Sequence, residues 1–443
     1  MRKVKVAIIG GGTVGGGVYK ALTTNGSLIA ARCGCQIEVN HVVVRDPSKK
    51  RTVSIPRRLI STDWMKAVTD PSTDIVVELV GGLDQAHEIV STALNHKKPV
   101  ITANKALLSA RGASLWKLAR RNRTHLYFEA SVAGGIPIIK VLRESLVANR
   151  ITDVYAIANG TCNYILTKMA REGRDFEEVL KEAQDLGYAE AEPSLDVDGL
   201  DAMHKVGIMA SILAGFSVPE KSIFVKGIRD ISPMDLEFAD WLGYTIKLIG
   251  SIRYLESTDS GRDGWKNPQL ELSVEPTLVP KSHVLASVDG VFNAVFLKGD
   301  TVGESLYYGR GAGQDATASS VVSDIVDAAM DLHQDFDRTL APFEPFAEKG
   351  QVLNHNDTVA NYFIRLEATN KPGTMAKVTQ ILANHNIGIS SCIQPENHNG
   401  ETVPLMLMVD KAPFSVFKKA LAQLGKLSVV RSKPVYFRVG SFD

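Results

Sequence analysis

The sequence predicts an α/β protein with three parts: a doubly wound parallel sheet at the N-terminus, an α+β region in the middle, and a small ferredoxin-like unit at the C-terminus. Over residues 1–150, short strand-like runs alternate with helical stretches, the order expected of right-handed βαβ crossovers. From residue 151 this alternation gives way to longer helices and extended runs. Residues 358–443 read as strand, helix, strand, strand, helix, strand, which is the ferredoxin-like order.

The N-terminal part, residues 1–150, contains strand candidates that are almost continuously apolar, as strands covered on both faces must be. The strand candidates are residues 5–10, 36–44, 74–80, 99–104 and 125–130, and the helix candidates lie near 13–24, 84–96 and 105–121. We therefore expect a Rossmann-type sheet with helices on both faces. A further helical pattern at 317–335 is expected to return to this domain.

The middle part, residues 151–316, is expected to form a second domain around a mixed sheet, with strands in “ELSVEPTLV” and “VFNAVFLKG”. Residues 336–357 show no clear periodicity and combine prolines with many polar side chains, so we interpret them as a linker. The C-terminal unit follows as residues 358–443, with a turn at Pro372–Gly373 after its first strand.

Composition limits the classes of function. The 443 residues carry 50 Lys and Arg against 49 Asp and Glu, a balance that argues against nucleic-acid and membrane-surface partners. No apolar run approaches the ~18–20 residues of a membrane span, and the apolar start is too short for a signal peptide. The cysteines form neither a CxxC motif nor a paired framework, which favours reduced thiols and a cytoplasmic location. They are Cys33, Cys35, Cys162 and Cys392.

A glycine-rich loop follows the first predicted strand. Gly10, Gly12 and Gly15 form a G-x-G-x-x-G pattern between that strand and a helix, the context in which the pattern indicates dinucleotide binding. Gly10 would allow the tight turn, Gly12 the approach of a pyrophosphate, and Gly15 close packing of the helix on the strand. The free N–H groups at the helix start would then meet the phosphates. A glycine-rich turn without a ligand is the alternative.

The end of the second predicted strand bears on the choice of cofactor. Arg45 stands at the strand end, followed by Lys49, Lys50 and Arg51, and arginine here suits the 2′-phosphate of NADP. Asp46 would instead suit the ribose hydroxyls of NAD, so NAD stays possible. A solvated basic loop is the third alternative.

Two lysines and an acidic stretch are candidates for chemistry. Lys105 follows the strand candidate 99–104, at the edge where open α/β sheets bind ligands. Residues 190–205 hold several carboxylates but lack the spacing of a calcium loop. Within them, Asp201 and Lys205 stand four residues apart on a predicted helix, either as a surface ion pair or as an acid that orients a lysine. The apolar helix around Lys205 favours the second reading, because a lysine against an apolar wall can serve as a general acid.

Several segments resemble those of homoserine dehydrogenases and occur in the same order. They are “TANK”, “EASVAGGIPII”, “NGTCNYILTKM”, “AQDLGYAEAEPSLDVDGLDAMHK” and “YYGRGAGQDATASSVVSDI”. The resemblance covers residues 4–335, and residues 358–443 resemble an ACT regulatory domain. Two positions depart from the family pattern: Glu192 precedes Pro193 where Asp, Asn or Ser is usual, and Ala316 stands where a proline is common.

The resemblance implies reversible reduction of L-aspartate 4-semialdehyde to L-homoserine with NAD(P)H, in the biosynthesis of threonine, methionine and isoleucine. It makes Lys205 the proton donor to the developing alkoxide. Lys105 would orient the carbonyl and supply positive charge near the oxyanion. Glu190 would accept the substrate ammonium, and Asp201 would orient Lys205 and help to hold the substrate. Asp196 is a weaker candidate for the same pocket.

By the same resemblance, residues 1–150 bind the cofactor, and residues 151–316 bind substrate and form the dimer. The implied cofactor-binding positions are Gly10, Gly12, Thr13, Val14, Gly15, Arg45, Lys105 and Gly311. His204 points about 100° away from Lys205 on a helix, so we interpret it as structural.

The resemblance also implies a site for a monovalent cation, Na⁺ or K⁺, in “EASVAGG”. The matching positions are Glu129 and the carbonyl groups of Val132, Gly134 and Ile136. From the residues alone, this stretch is a glycine-rich bend.

In the ACT-like domain, “NKPGTM” and “HNIGI” match the ligand-facing segments of modules that pair edge to edge and bind an amino acid. The resemblance therefore implies feedback by threonine, with a homodimer or homotetramer as the assembly. The implied effector positions are Asn370, Gly373, Asn386 and Ile387. An ACT fold that serves only for oligomerisation is the alternative.

Two rival functions use the same domains. One is a non-catalytic, nucleotide-binding amino-acid sensor, against which the presence of Lys105, Glu190, Asp201 and Lys205 argues. The other is a dehydrogenase that acts on a different amino-acid aldehyde.

Overall fold

The N-terminal domain is a layered α/β unit. The computed structural model describes residues 2–255, 264–334, 343, 345–394 and 400–442. The elements of this domain are, in chain order, β1 (Arg2–Ile9), α1 (Thr13–Thr24), α2 (Gly26–Cys33), β2 (Cys35–Val43), β3 (Ile60–Ser61), α3 (Trp64–Thr69), β4 (Ile75–Glu78), α4 (Asp84–Asn95), β5 (Val100–Thr102), α5 (Lys105–Arg121) and β6 (Leu126–Tyr127).

The strands of this domain lie in the order β3-β2-β1-β4-β5-β6, and each neighbouring pair is parallel. Alternate residues of β1 point to opposite faces of the sheet. Val6 and Ile8 pack in the core that includes α1, whereas Ala7 and Ile9 pack in the core that includes α4 and α5. The prediction of a doubly wound parallel sheet is confirmed. Strand β3 has only two residues, too few to give a periodic signal in the sequence.

The middle part of the chain forms an α+β domain. Its elements are α6 (Ile138–Lys140), which a π-helix continues over Val141–Ser145, then β7 (Ile151–Ile157), α7 (Gly160–Glu172), α8 (Phe176–Asp185), α9 (Ser194–Val197), α10 (Leu200–Ala214), β8 (Phe224–Val225), α11 (Pro233–Trp241), β9 (Tyr244–Leu255), β10 (Gln269–Pro280), β11 (Phe292–Gly299), β12 (Gly303–Arg310) and α12 (Gln314–Gln334). Helix α12 crosses to the N-terminal domain, where Val321 and Ile325 join the core beside α1. Gly17 permits this approach, since a Cβ there would lie 2.9 Å from Gln314.

The C-terminal domain has the ferredoxin-like topology that the sequence predicts. A short strand, β13 (Gln351–Val352), precedes this domain, whose own elements are β14 (Val359–Thr369), α13 (Thr374–Asn384), β15 (Ile389–Ile393), β16 (Thr402–Pro413), α14 (Phe414–Leu424) and β17 (Val435–Val439). Strands β17, β14, β16 and β15 are neighbours in that order and antiparallel. Helices α13 and α14 cover one face of this sheet, where their apolar side chains meet those of β14.

Part of the predicted linker, residues 336–342 and 344, lies outside the described residues, as does residue 335 at the end of the predicted return helix. The rest of the linker packs on the middle domain. The Phe346 N–H donates to the Gly215 carbonyl oxygen at 3.0 Å, and the Gln351 N–H donates to that of Pro268 at 2.9 Å. Within the described ranges, no helix is long and apolar enough to cross a membrane, and the four cysteines are free thiols.

The middle and C-terminal domains share one sheet, in the order β12-β11-β7-β9-β10-β17-β14-β16-β15. Strands β10 and β17 join the two halves through parallel pairing of Thr277 with Arg438 and of Leu278 with Val439. Strands β8 and β13 pair with β10 as well. The sequence predicts two separate units, and local periodicity gives no sign of this edge-to-edge pairing, because it joins strands far apart in the chain.

Buried charges reinforce the junction. Arg438 of β17 donates to Glu271 at 2.5 Å and to Glu275 at 3.4 Å, and all three residues are buried. Burial raises the pKa of Glu275, although the Arg438 charge opposes that rise. On the other side of the sheet junction, Arg365 of β14 lies 2.6 Å from the fully buried Asp235. These contacts attach the C-terminal domain firmly to the middle domain.

We predict that Arg438→Met destabilises the protein by about 3–5 kcal/mol, because it takes the paired cation away from the buried Glu275 and leaves the buried Glu271 with Arg253 alone, 3.4 Å away. Urea or thermal unfolding measures this loss. The matched control is Lys281→Met, which removes an exposed cation 2.5 Å from Asp240 and should cost less than about 1 kcal/mol. Equal effects of the two substitutions would contradict the assignment of Arg438 to the junction.

Candidate active site in the cleft between the domains

The loop between β1 and α1 has the geometry of a phosphate cradle. Gly10 has φ +116°, and a Cβ there would lie 2.5 Å from the Leu79 carbonyl oxygen. A Cβ on Gly15 would lie 2.0 Å from the Gly10 carbonyl oxygen, so only glycine lets α1 approach this closely. The space beside Gly12 is open, and α1 begins at Thr13 without a side-chain cap from any described residue. The loop therefore offers room and free N–H donors to an anion.

The loop after β2 leaves Arg45 exposed. Asp46 accepts the Ser48 N–H at 2.8 Å and the Ser48 hydroxyl at 2.5 Å, and these bonds lower the pKa of Asp46. Arg51 donates to the carbonyl oxygens of Asp46 and Lys49 and so closes the loop on itself. The Asp46 carboxylate is thus engaged within its own turn, whereas the Arg45 guanidinium is open to an incoming group.

A cleft of about 430 Å³ lies between the N-terminal and middle domains, at the carboxyl ends of β4 and β5. This is the edge of an open α/β sheet at which ligands bind. The cleft is lined by Val14, Glu78, Leu79, Gly81, Gly82, Ala103, Asn104, Lys105, Ala106, Glu190, Glu192, Leu195, Asp196, Asp201 and His204.

Asp201 joins two lysines at the wall of this cleft. Its Oδ1 lies 3.0 Å from Lys105 Nζ, and its Oδ2 lies 2.7 Å from Lys205 Nζ. Lys205 also donates to the Ala158 carbonyl oxygen at 2.5 Å, so one of the three N–H donors of its ammonium is left for a further partner. Lys105 lines the cleft, while Lys205 is buried one hydrogen bond behind Asp201. Residues of two domains therefore meet in a single charged cluster.

The charges in this cluster support one another. Burial raises the pKa of Asp201, but the neighbouring Lys205 and Lys105 more than offset burial and hold that pKa below its ordinary value. Burial lowers the pKa of Lys105, yet attraction to Asp201 outweighs burial and raises it. Within this cluster two ammonium groups meet one carboxylate, so Lys105 can stabilise an oxyanion, while Asp196 and Glu190 add negative charge nearby.

Asn159 positions two of the acids. Its Oδ1 caps α7 by accepting the Cys162 N–H at 2.8 Å, which leaves Nδ2 to donate to Asp201 at 2.8 Å and to Asp196 at 2.7 Å. Burial raises the pKa of Asp196, and the bond from Asn159 opposes that rise. An Asn directly before a helical run signals an N-cap in the sequence, but its bonds to the two acids depend on tertiary contacts.

Glu190, Glu192 and His204 complete the polar lining. Glu190 is exposed on the cleft, and Glu192 accepts the Ser194 N–H at 3.1 Å. His204 also lines the cleft, although the sequence suggested only a structural role for it. It stands three residues after Asp201, and residues at this spacing share a helix face. Burial lowers the pKa of His204.

The start of α5 determines the position of Lys105. Asn104 caps this helix and donates from Nδ2 to the Gly82 carbonyl oxygen at 2.7 Å. Glu78, at the end of β4, is fully buried and accepts the Thr102 hydroxyl at 2.6 Å. Burial raises the pKa of Glu78. These bonds connect the loops after β4 and β5, which frame Lys105, and no sequence motif pointed to Glu78.

The remaining implied cofactor positions differ in placement. Thr13 and Val14 begin α1, and Val14 lines the cleft. Gly311 lies instead beside Gly134, where a Cβ would meet the Gly311 carbonyl oxygen at 2.4 Å. Among the described residues, those that line the cleft do not include Gly311.

The segment implied for a cation forms a tight turn in which Ala133 and Gly134 both have positive φ. The Glu129 carboxylate accepts two N–H groups at α6, at 2.8 and 2.9 Å, and burial raises its pKa to about 7. Main-chain oxygens of the turn are engaged as well, since the Ile136 carbonyl oxygen accepts the Ile138 N–H at 2.7 Å. The Gly134 carbonyl accepts the Ser320 hydroxyl at 2.6 Å and keeps a second lone pair. Carbonyl and carboxylate oxygens both suit a hard cation, and each of these hydrogen-bonded oxygens keeps a lone pair for one.

The four implied effector positions lie in two turns of the C-terminal domain. Gly373 precedes α13, and Asn370 stands in the same turn, where its N–H donates to Glu401. Asn386 (φ +54°) and Ile387 follow α13. Since α13 has 11 residues, its ends are about 16 Å apart. Within one chain the two pairs therefore do not form a single pocket.

Both the N-terminal and the middle domain match models of one protein family. A family model described as “Homoserine dehydrogenase” matches residues 137–326, and one described as “Homoserine dehydrogenase, NAD binding domain” matches residues 10–129. An “AHAS small subunit-like ACT domain” model matches residues 364–432. A curated homoserine dehydrogenase of Pseudomonas aeruginosa is 41% identical over 444 residues, which cover 99% of each chain. The chain belongs to the homoserine dehydrogenase family.

Solved structures agree with this assignment. A homoserine dehydrogenase crystal structure from Thiobacillus denitrificans is 39% identical, with TM-score 0.91 and 99% of each chain covered. A hyperthermophilic archaeal homoserine dehydrogenase in complex with NADPH is 27% identical, with TM-score 0.61, covering 74% of this chain and 98% of that one. Membership in the homoserine dehydrogenase family makes the chain an NAD(P)-dependent oxidoreductase with an NAD-binding domain and a C-terminal ACT domain.

We predict a pH-dependent loss of stability in Asp201→Asn. Because the folded-state pKa of Asp201 lies below its ordinary value, its stabilising contribution is present above about pH 4 and is lost as the pH falls through the folded-state pKa. The pKa of Lys105 is raised, so the stabilisation from its protonated form persists up to about pH 10. Above that pH, Lys105 loses its proton and this stabilisation is lost.

Thermal unfolding of wild type and Asp201→Asn measures this effect. The gap between the two midpoints should be constant between about pH 5 and 9 and should shrink below about pH 4. Asp240→Asn, which changes an exposed partner of Lys281, should show almost no gap at any pH. A gap in Asp201→Asn that is as wide at pH 3 as at pH 7 would refute the paired state of Asp201.

Proposed function

We propose that this chain catalyses the reversible reduction of L-aspartate 4-semialdehyde to L-homoserine with NAD(P)H. The observation that carries this proposal is the contact of Asp201 with both Lys105 and Lys205 in a cleft beside a glycine loop. Such a reaction needs a nucleotide cradle and a proton donor on opposite sides of one cleft. Both requirements have candidates here, and the family relationship points to the same reaction.

Lys205 is proposed to donate the proton. When bound, the reduced nicotinamide supplies a hydride to the aldehyde carbon. As that C–H bond forms, the carbonyl oxygen takes a proton from Lys205 Nζ, through the N–H that Asp201 and Ala158 leave free, and the lysine becomes a neutral amine. In the oxidation of homoserine, the neutral amine takes the hydroxyl proton instead.

The other residues are proposed to bind and orient the substrate. Lys105, on the cleft surface, stabilises the oxyanion, and Asp201 holds both lysines in place. Glu190 is the carboxylate proposed to accept the substrate ammonium, since it is exposed on the cleft. Asp196 is the weaker candidate, because its Oδ1 already accepts a hydrogen bond from Asn159.

The direct test is the oxidation of NADPH by the purified chain with L-aspartate 4-semialdehyde. Rapid oxidation with this aldehyde and slow oxidation with other amino-acid aldehydes is the expected result. Preference for a different aldehyde would favour the rival dehydrogenase. Cofactor binding without turnover would favour the sensor.

We predict that Lys205→Met loses about a hundredfold or more of kcat, leaving at most a few per cent of the activity, the range expected when a general acid is removed. Initial-rate kinetics with homoserine measures this. The matched control is Lys247→Met, which also removes a buried lysine, bonded to the Val288 carbonyl and Asp289 but outside the cleft. If Lys205→Met kept most of its activity while folded, the proton-donor role would be excluded.

For the cofactor, we propose NADP over NAD. The exposed Arg45 and the engaged carboxylate of Asp46 support this preference. The archaeal relative described above was solved in complex with NADPH. The open space at Gly12 and the uncapped start of α1 suit the pyrophosphate of either nucleotide.

We predict that Arg45→Ala raises KM for NADP about tenfold, since it removes a charge-assisted hydrogen bond to the 2′-phosphate, and leaves KM for NAD within about twofold. Parallel kinetics with both cofactors checks this. Arg32→Ala, an exposed arginine of α2, is the control that should change neither value. An equal change for NADP and NAD would refute a role specific to the phosphate.

We further propose a monovalent cation, Na⁺ or K⁺, at the turn after β6, held by Glu129 and by the carbonyl oxygens of Val132, Gly134 and Ile136. The ACT domain is proposed to bind threonine as a feedback effector. Because its two implied effector turns stand at opposite ends of α13, a complete site would combine turns from two ACT domains, which supports a homodimer or homotetramer. A cytoplasmic location is proposed from the four free thiols.

A further inference from the structure

A short segment links the C-terminal domain to the acidic stretch of the cleft. We call residues 224–229 the bridging segment. It begins with β8, which pairs with β10, and the Lys226 N–H continues the pairing by donating to the Val274 carbonyl oxygen at 2.8 Å. The segment therefore lies beside the strand that carries the C-terminal domain.

One end of the bridging segment contacts β17. The Lys226 ammonium donates to the Tyr436 carbonyl oxygen. It also lies 3.8 Å from the centre of the Tyr436 ring and 5.0 Å from that of Phe437, distances suited to cation–π attraction. Lys226 is thus anchored on the C-terminal domain through groups that keep it away from solvent.

The other end contacts the turn formed by residues 194–199, which we call the acidic turn. The Ile228 N–H donates to the Val197 carbonyl oxygen at 2.9 Å. Gly227 packs against the same carbonyl, since a Cβ there would lie 2.3 Å from it. Arg229 donates from Nε to Asp198 at 2.5 Å and from Nη2 to the Ser194 hydroxyl at 3.1 Å.

The acidic turn leads directly into the candidate active site. Asp196 of this turn lines the cleft, and α10 begins right after the turn with Asp201 and Lys205. Inside the protein, Asn159 holds Asp196. On the outside, the bridging segment and Arg229 hold the turn. The acidic turn is therefore held by hydrogen bonds on both sides. The bridging segment, which provides one set of these bonds, also contacts the C-terminal domain.

We propose that Arg229 is a positioning residue for the acidic turn, and that the bridging segment makes the position of this turn depend on the C-terminal domain. The proposal rests on the proposed function, because the turn borders the site assigned to the amino-acid substrate. Arg229 acts through its hydrogen bonds to Asp198 and Ser194. The ion pair of Arg229 with Asp198 is exposed, so it adds little stability. The two hydrogen bonds of the guanidinium nevertheless fix the orientation of the turn.

Steady-state kinetics of homoserine oxidation by the full-length chain tests the proposal. Arg229→Ala should raise KM for homoserine about tenfold, the scale of a slightly misplaced binding group, while KM for NADP and the thermal midpoint stay unchanged. Arg229→Lys keeps the positive charge but loses the planar guanidinium with its two donors, so its KM for homoserine should lie between those of the wild type and Arg229→Ala. The control Arg171→Ala removes another exposed Arg–Asp pair, 2.5 Å long, away from the turn and should have no effect.

Two further variants probe the bridging segment. Gly227→Ala pushes on the Val197 carbonyl and should reproduce the homoserine KM effect, whereas Gly26→Ala, where a Cβ meets open space, should not. Lys226→Met removes the ammonium that holds Tyr436 but keeps an apolar chain, and should raise KM for homoserine about threefold or more.

An unchanged homoserine KM in folded Arg229→Ala would overturn the positioning role. An effect of Arg229→Ala without any effect of Lys226→Met would overturn the dependence on the C-terminal domain. Equal rises of KM for homoserine and NADP would also count against the proposal, because they indicate a general disturbance. Wild-type turnover of homoserine tests the proposed function separately, and only the ratios of variant to wild type bear on Arg229.

Discussion

At the wall of the cleft, one buried carboxylate, Asp201, contacts two ammonium groups from different domains: Lys105 on the cleft surface and Lys205 behind it. Lys105 and Lys205 would repel each other without Asp201, and Asp201 would be a costly unpaired charge without them. Because Lys105 begins α5 and the other two residues lie on α10, their contact also sets how the N-terminal and middle domains face each other. Asn159 and Asn104 extend this arrangement to α7 and to the loops after β4 and β5.

The C-terminal domain is built into the same framework. Strand β17 extends the sheet of the middle domain through β10, and the ion pairs of Arg438 with Glu271 and of Arg365 with Asp235 reinforce that junction. Removal of this domain would take β17 away from β10 and Arg438 away from Glu271 and Glu275.

Much of this arrangement has local signals in the sequence. The Gly10–Gly15 loop follows from a short motif, and Asp201 and Lys205 are four residues apart on one helix, so their contact could be predicted. The contact of Lys105 with Asp201 joins two distant helices, and the pairing of β10 with β17 joins two distant strands, so neither has a periodic signal. His204 faces the cleft because it shares a helix face with Asp201. Its predicted structural role rested only on comparison with its neighbour Lys205 and so missed this relation. The roles of Asn159 and Glu78 likewise depend on tertiary contacts.

The most direct measurement is a double-mutant cycle on kcat/KM for homoserine, with Asp201→Asn, Lys105→Met and the double variant. If Asp201 and Lys105 act as one unit, the double variant should lose no more activity than the more damaged single variant. Thermal unfolding of each variant would establish that all are folded. If the two losses instead multiply in the double variant, Asp201 and Lys105 act independently, and the shared-carboxylate account is contradicted.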